Sequence, residues 1–227
     1  MQSHQRILAA ATVAFAALSV GTLTHAGCIT ADFAPALPSP PADDWADAQR
    51  LKLMQELRIP ERVVAIKAED HDPTPKFWAA AGLQAKDHPQ LERQITALQK
   101  EAEKITLALK DHYARARPNT ADSSLTTVVS VPWHASYPSG HATQSMLTAL
   151  ALGAAVPSAA PALKSLAIDV AHGREIAGLH YASDTQAGFE LAQQIWDATK
   201  ADCKPQVLPI YHIAEFEQEN LPQIFQP

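Results

Sequence analysis

Leu91, Ile95, Leu98, Ala102, Ile105 and Leu109 recur at alternating steps of four and three residues. That period puts them on one face of a long helix, with Glu92, Lys100, Glu103 and Lys104 off the stripe. Asp87-His88-Pro89 opens the helix. Pro118 closes it, because a proline drives the residue before it out of the α region. Shorter helices are predicted on both sides. Asp43 or Asp44 caps Trp45 to Leu57, and Pro60 suits the first turn of Glu61 to Lys67. His71-Asp72-Pro73 is a break, and Thr74-Pro75 starts a short helix through Phe77, Trp78 and Ala81. Residues 119–138 are rich in Ser, Thr, Pro and Val and read as a loop. His141 to Ala155 is an Ala/Leu helix ended by Val156-Pro157. Another begins at Pro161 and runs to about Ala177. A break over Gly178 to Ala182 separates it from a last helix, Ser183 to Ala201.

The two ends have a different texture. Ile7 to Leu23 is a seventeen-residue apolar stretch, rich in Ala, behind Arg6, followed by Thr24-His25-Ala26. This predicts a secretory leader cut after Ala26, and hence a periplasmic or secreted protein. Ala26-Gly27-Cys28 also allows a lipoprotein reading with lipid on Cys28, ranked second because His25 stands where a large aliphatic residue is wanted. Beyond the leader no run is long and apolar enough to span a bilayer. Residues 27–43, with Pro35 and Pro38-Ser39-Pro40-Pro41, form a linker; residues 44–204 form one helical domain; residues 205–227 form a tail wrapping the surface.

Composition narrows the class. Of 227 residues 47% are hydrophobic and only 6% aromatic, with 8 glycines and 17 prolines, which favours an all-α bundle over a sandwich or barrel. The net charge of −6 argues against a nucleic-acid partner. Two cysteines, Cys28 and Cys203, are too few for a disulfide scaffold or a zinc cluster. In an exported chain they are free to pair, provided the fold brings them together.

Three stretches carry candidate chemistry. Lys110-Asp-His-Tyr-Ala-Arg-Ala-Arg117-Pro118 places two cations seven residues apart, on one face if the helix continues to its end. Taken alone, these are ordinary solvated charges. Tyr137-Pro138-Ser139-Gly140-His141 ends a loop and opens a helix. Ser139 is a natural N-cap, and the free N–H groups of a helix start favour anions. In the third stretch Arg174 ends one helix, His180 lies in the break, and Asp184 stands four residues on. An aspartate at that spacing can hold one ring nitrogen of His180 and free the other as a nucleophile or base. Each has a bland alternative: a capping Asp, an incidental His, a plain Ser-Gly helix start. Together they make a cradle for a tetrahedral oxyanion without need of a metal. His71, His88, His112 and His172 show no close metal-ligand spacing. Trp133 and His134 precede the Ser-Gly-His loop, where they either line the mouth of the site or pack on the core.

The order Lys-x6-Arg-Pro, Pro-Ser-Gly-His and Arg-x5-His-x3-Asp resembles the three-part signature of the type 2 phosphatidic acid phosphatase (PAP2) superfamily. Its ten fixed residues here are Lys110, Arg117, Pro118, Pro138, Ser139, Gly140, His141, Arg174, His180 and Asp184. The chain most resembles bacterial class A acid phosphatases, with three departures. Gly173 stands where the family usually has Ser, and Ala135 and Ala142 where class A usually has Gly and Thr. The resemblance implies an all-helical bundle. It implies that His180 forms a phosphohistidine, that Asp184 supports it, and that His141 protonates the leaving oxygen and then activates water. Lys110, Arg117, Ser139, Gly140 and Arg174 would hold the phosphate oxygens. The expected function is an exported, metal-independent acid phosphatase acting on small phosphate esters, with no cofactor and with vanadate as an inhibitor. Rival readings are a lipid or isoprenoid diphosphate phosphatase, a haloperoxidase using vanadate as cofactor, and a non-catalytic oxyanion-binding protein. The N-terminal helices are candidates for an oligomer contact.

Overall fold

The computed structural model describes residues 27–30 and 32–208. The predicted leader and residues 209–227 of the predicted tail lie outside the described residues. The helices are α1 (Trp45–Gln55), α2 (Pro60–Ala68), α3 (Thr74–Ala80), α4 (Pro89–Tyr113), α5 (Pro118–Ala121), α6 (Gly140–Ala155), α7 (Ala160–Ile176) and α8 (Ala182–Ala198). The fold is all-α, as the patterning predicts. Among the described residues the sole β pairing is an isolated antiparallel bridge between Ile29 and Thr199. No helix among them is long and apolar enough to cross a membrane.

Helix α6 is the centre of the bundle, packed against α3, α4, α7 and α8. Its Ala/Leu sequence is the reason: short side chains let several helices approach closely, and most of the helix from Ala142 to Ala155 is buried. One close approach is to α8. A Cβ placed on Gly188 would lie 2.7 Å from both the Ala142 Cβ and the Ser139 carbonyl oxygen. Glycine therefore lets the α8 backbone rest on the first turn of α6. The stripe on α4 faces this core. Leu91, Ile95, Leu98 and Ala102 are buried with Met146, Leu152, Leu163, Val170 and Ile195, while Ile105 and Leu109 are half-covered at its edge. Truncating one such leucine to alanine costs about 2–5 kcal/mol.

Two local readings are corrected. The predicted helix to Pro118 ends earlier, at Tyr113. Ala114 turns left-handed (φ 49°, ψ 30°) and its N–H bonds the Lys110 carbonyl at 2.9 Å. Arg117 is extended (φ −69°, ψ 150°), so Lys110 and Arg117 do not share a helix face. In a continued helix, Arg115 and Arg117 would point about 200° apart. Leaving the helix lets both guanidinium groups reach the α7–α8 junction. The loop over 119–138 is also shorter than predicted, since α5 takes up its first residues.

The proline-rich segment lies along the bundle. Cys28 is disulfide-bonded to Cys203, with Cα atoms 5.6 Å apart. Beside it, Glu101 accepts the N–H of Cys28 at 2.5 Å and that of Ile29 at 2.9 Å. Further on, Ala36 exchanges two hydrogen bonds with the Gln194 amide, and the Tyr137 hydroxyl donates to the Pro38 carbonyl at 2.5 Å.

Candidate active site

Lys110, Arg117 and Arg174 are 1%, 5% and 1% exposed, so they are not solvated surface charges. Burying three cations without carboxylate neutralisation of each is costly unless the site holds an anion. All three line one cavity of about 330 Å³, together with Gly140, His141, His180 and His134.

Each cation is aimed by a different element. Lys110 sits in the last turn of α4 and donates to the carbonyls of Ala135 and Ser136, both at 2.8 Å. Burial, reinforced by Arg117 and opposed by Asp184, lowers its ammonium to about 7. Arg117 donates to the carbonyls of His134 (3.1 Å) and Leu179 (2.8 Å) and to His134 Nδ1 (3.0 Å). Its Nη1 also donates to Nε2 of His180 at 3.1 Å. Burial, with Arg174 nearby and Asp184 opposing, lowers its guanidinium to about 10. Arg174, in the last turn of α7, pairs through Nη2 with the Asp70 carboxylate. Its Nε and Nη1 are buried with no partner.

The loop into α6 supplies backbone donors. The Ser139 hydroxyl accepts the Ala142 N–H at 3.4 Å, and its carbonyl accepts the Thr143 N–H at 3.1 Å. The N–H groups of Gly140 and His141 precede the first intrahelical bond and border the cavity. Ser139 itself is fully buried and acts as the cap, outside the cavity lining. His141 donates through Nε2 to the Asp70 carbonyl at 3.2 Å. Burial first, and Arg174 second, lower its imidazole to about 4.

Gly178 (φ +80°) turns the chain between α7 and α8. It passes so close to the Thr126 carbonyl that a Cβ would stand 2.2 Å away. The turn presents His180, 3% exposed, to the cavity. Burial, then Arg117, Lys110, His141 and Arg174, hold its imidazole well below the usual histidine range. It is therefore neutral, with Nδ1 toward Asp184 Oδ2 at 3.3 Å and the Nε2 lone pair facing Arg117. Asp184 lies behind His180, fully buried, and caps α8 by accepting the Tyr181 N–H at 2.9 Å. Asp184 thus caps α8 and lies within hydrogen-bond distance of His180 Nδ1 at the same time.

The structure also places residues that the motif reading passed over. Arg115 contacts Asp184 at 2.5 Å and Ser136 donates to it at 2.5 Å. Asp70, in the α2–α3 connection, meets both Arg174 and His141. Arg115 had a signal, since it stands within the Lys110–Pro118 stretch. Asp70 had none, being remote in sequence from every motif. Of the pair before the Ser-Gly-His loop, His134 lines the cavity, while Trp133 is 88% exposed and outside the lining. Among the described residues, no cluster of three or more His, Cys, Asp or Glu side chains is placed to hold a metal ion.

Residues 96–196 match the family model of the PAP2 superfamily, a span that includes all eight predicted site residues. The fold is shared with the structure described as the first bacterial vanadium-dependent iodoperoxidase. The identity is 15% and the TM-score 0.56, over 73% of this chain and 52% of that one. This chain thus spans about half the length of that protein. A transmembrane PAP2-type phosphatidylglycerolphosphate phosphatase from Bacillus subtilis aligns at 15% identity and a TM-score of 0.47, over 79% of this chain and 88% of that one.

Proposed function

From a chain that carries a PAP2 superfamily domain over residues 96–196, we propose an exported, metal-independent phosphatase that hydrolyses phosphate monoesters through a phosphohistidine on His180. The observation that carries this reading is the pair of buried, unpartnered donors on Arg174, in the same cavity as the neutral imidazole of His180. Donors without acceptors, in a pocket with a nucleophile, favour a tetrahedral oxyanion whose central atom can be attacked.

The steps follow from the hydrogen bonds. A phosphate ester enters with its non-bridging oxygens on Arg174 Nε and Nη1, Lys110, and the N–H groups of Gly140 and His141. Arg117 moves its Nη1 donor from His180 to the incoming oxygen, which frees the Nε2 lone pair. Nε2 attacks phosphorus, the N–P bond forms, and the ester P–O bond breaks. Asp184 stabilises the positive ring through Nδ1–H. His141, protonated, gives its proton to the leaving oxygen. Its Nε2 is held by the Asp70 carbonyl, so Nδ1 is the nitrogen that transfers the proton. An alcohol departs. Water then attacks phosphorus, His141 takes its proton, the N–P bond breaks, and inorganic phosphate leaves.

An imidazole at about 4 is protonated in acid, which supports an acidic optimum. The Cys28–Cys203 bridge supports an oxidising compartment and agrees with the predicted leader. The test is turnover of p-nitrophenyl phosphate across pH in EDTA, with alkaline quench to trap phosphohistidine. Turnover with a trapped phosphoenzyme is expected, both lost in His180→Ala. The same oxyanion donors fit vanadate, which is expected to inhibit as a mimic of the five-coordinate transition state. Bromide oxidation by peroxide and vanadate at higher efficiency than ester hydrolysis would replace the phosphatase reading.

A further inference from the structure

Helix α6 carries a polar stripe that the catalytic steps use only at its top. His141, Gln144, Ser145 and Thr148 stand at i, i+3, i+4 and i+7, so they share one face of an otherwise Ala/Leu-rich helix. That face opens onto a second cavity of about 320 Å³, bounded also by α3 and α4. The two cavities adjoin: His71, Glu103, His141 and Gln144 line both.

The second cavity is built of hydrogen-bonding groups. Ser145 is 1% exposed, and its hydroxyl has no partner. Gln99 donates through Nε2 to the hydroxyls of Thr74 (3.1 Å) and Thr148 (2.9 Å), and Thr148 donates to the Gln144 carbonyl at 2.8 Å. This relay spends both amide hydrogens of Gln99 and leaves its carbonyl oxygen to accept. At the rim, Asp72 and Glu103 add carboxylate acceptors. Such a mixture of donors and acceptors matches hydroxyl groups, each of which gives one hydrogen bond and receives others. It matches an alkyl chain poorly, and its carboxylates oppose a second anionic group.

Position ties this cavity to the reaction. In-line attack by His180 drives the leaving oxygen to the far side of phosphorus, the side His141 must occupy to protonate it. His141 is a common wall, so a leaving group passing His141 runs along the α6 stripe. From His141 to Thr148 the helix rises about 10 Å, room for roughly five or six hydroxylated carbons.

We propose that this cavity is the leaving-group subsite, and that it selects monophosphates of neutral polyhydroxylated alcohols, the polyol and sugar class, over alkyl or lipid phosphates. The proposal rests on the phosphatase reading above and deepens it. By contrast, the apolar groove between α6, α7 and α8 shares no lining residue with the catalytic cavity.

The experiment compares sorbitol 6-phosphate with n-hexyl phosphate, two six-carbon primary monoesters that differ in their hydroxyl groups. Wild-type kcat/KM is expected to favour the sorbitol ester at least tenfold. The preference should fall several-fold in Ser145→Ala/Thr148→Val, checked by thermal melting for an intact fold. Calorimetric binding of both esters to His180→Ala enzyme supplies a readout free of turnover and of the stripe variant. Tighter binding of the sorbitol ester supports the subsite even if wild type hydrolyses neither, in which case the phosphatase reading alone falls. Hydrolysis of both esters with equal efficiency and equal binding overturns the subsite and leaves the phosphatase reading standing. A preference for the hexyl ester, in rate or in binding, also overturns it.

Discussion

Nη1 of Arg115 lies 2.5 Å from Oδ1 of Asp184, in a fully buried pair behind the candidate nucleophile. The same guanidinium reaches Asp44 at 2.7 Å and Asp47 at 3.0 Å and stacks 4.1 Å over the Tyr181 ring. Burial alone would pull Arg115 down, but Asp184, Asp44 and Asp47 outweigh it and hold it above its ordinary value. Arg115 thus fastens α1 to the α8 N-terminus and competes with His180 for the charge of Asp184.

Arg115→Gln is therefore expected to act in two ways. Leaving the buried Asp184 carboxylate without its cation should cost about 3–5 kcal/mol of stability. Less of the Asp184 charge is then neutralised, so the imidazolium of His180 is favoured and its pKa rises. The acidic limb of the pH–rate profile should move to higher pH. Arg115→Lys should restore much of the stability and less of the limb, since a point charge cannot reach three carboxylates. Denaturant melts and pH profiles of both variants check this. An unchanged limb in Arg115→Gln would refute the coupling.

Lys110 yields a prediction about binding. With its ammonium lowered to about 7, the free site loses one cation as pH rises through neutrality. Sulfate stays a dianion over this range, so its own titration does not intrude. Its inhibition constant should be flat between about pH 5 and 6, above the titration of His141 at about 4, and rise up to tenfold per pH unit above about 7, until the bound-state pKa is passed. Lys110→Arg stays protonated and should remove the rise near 7. A wild-type constant that does not change up to pH 9 would show that Lys110 does not face the anion.

How legible was this site in the sequence? The helices were readable where one face is apolar, as on α4, or where Pro and Gly punctuate, as around α6 and α7. The three motif stretches were readable as chemistry because charge, helix start and His–Asp spacing fall at fixed offsets. Their convergence was not. It depends on Gly188, which lets α8 rest on α6, and on the left-handed Ala114, which no propensity rule places there. Asp70 and the partners of Arg115 were invisible for a simpler reason. Their contacts join segments 68 or more residues apart, and no local pattern records such pairs.

Gly188 makes that dependence testable. Gly188→Ala forces a methyl to 2.7 Å from the Ser139 carbonyl, so backbone must shift at the α6 N-terminus. Overpacking of this kind costs about 1–3 kcal/mol. The larger consequence should be catalytic, because the displaced turn carries the Gly140 and His141 N–H groups. A drop in kcat well beyond the drop in folded fraction is expected, measured by turnover beside circular dichroism.

The Cys28–Cys203 bridge closes nearly the whole described chain, with a sequence separation of 175. Constraining so long a loop in the unfolded state gives about 2–5 kcal/mol. The bridge lies on the α4–α8 side, away from the cavity lining. Cys28→Ala/Cys203→Ala should therefore lower the melting midpoint while kcat at room temperature stays within about twofold. A large loss of kcat in the folded double variant would show that the arm also positions the site.

The final prediction separates the two histidines. His180 must act on every substrate, whereas the proton from His141 matters in proportion to how poor the leaving group is. p-Nitrophenolate departs readily without help; an alkoxide does not. General acid catalysis contributes about 10²–10⁴-fold where it is needed. His141→Asn should therefore lose about that factor in the phosphorylation step with n-hexyl phosphate and much less with p-nitrophenyl phosphate. The lost water activation should let phosphohistidine accumulate with the nitrophenyl ester, visible as a burst of nitrophenol followed by slow turnover. His180→Ala should show neither burst nor selectivity, failing with both esters alike. Equal losses for the two esters in His141→Asn, with no burst, would move the proton-transfer role to another group in the cavity, and His134 is the remaining imidazole on Arg117.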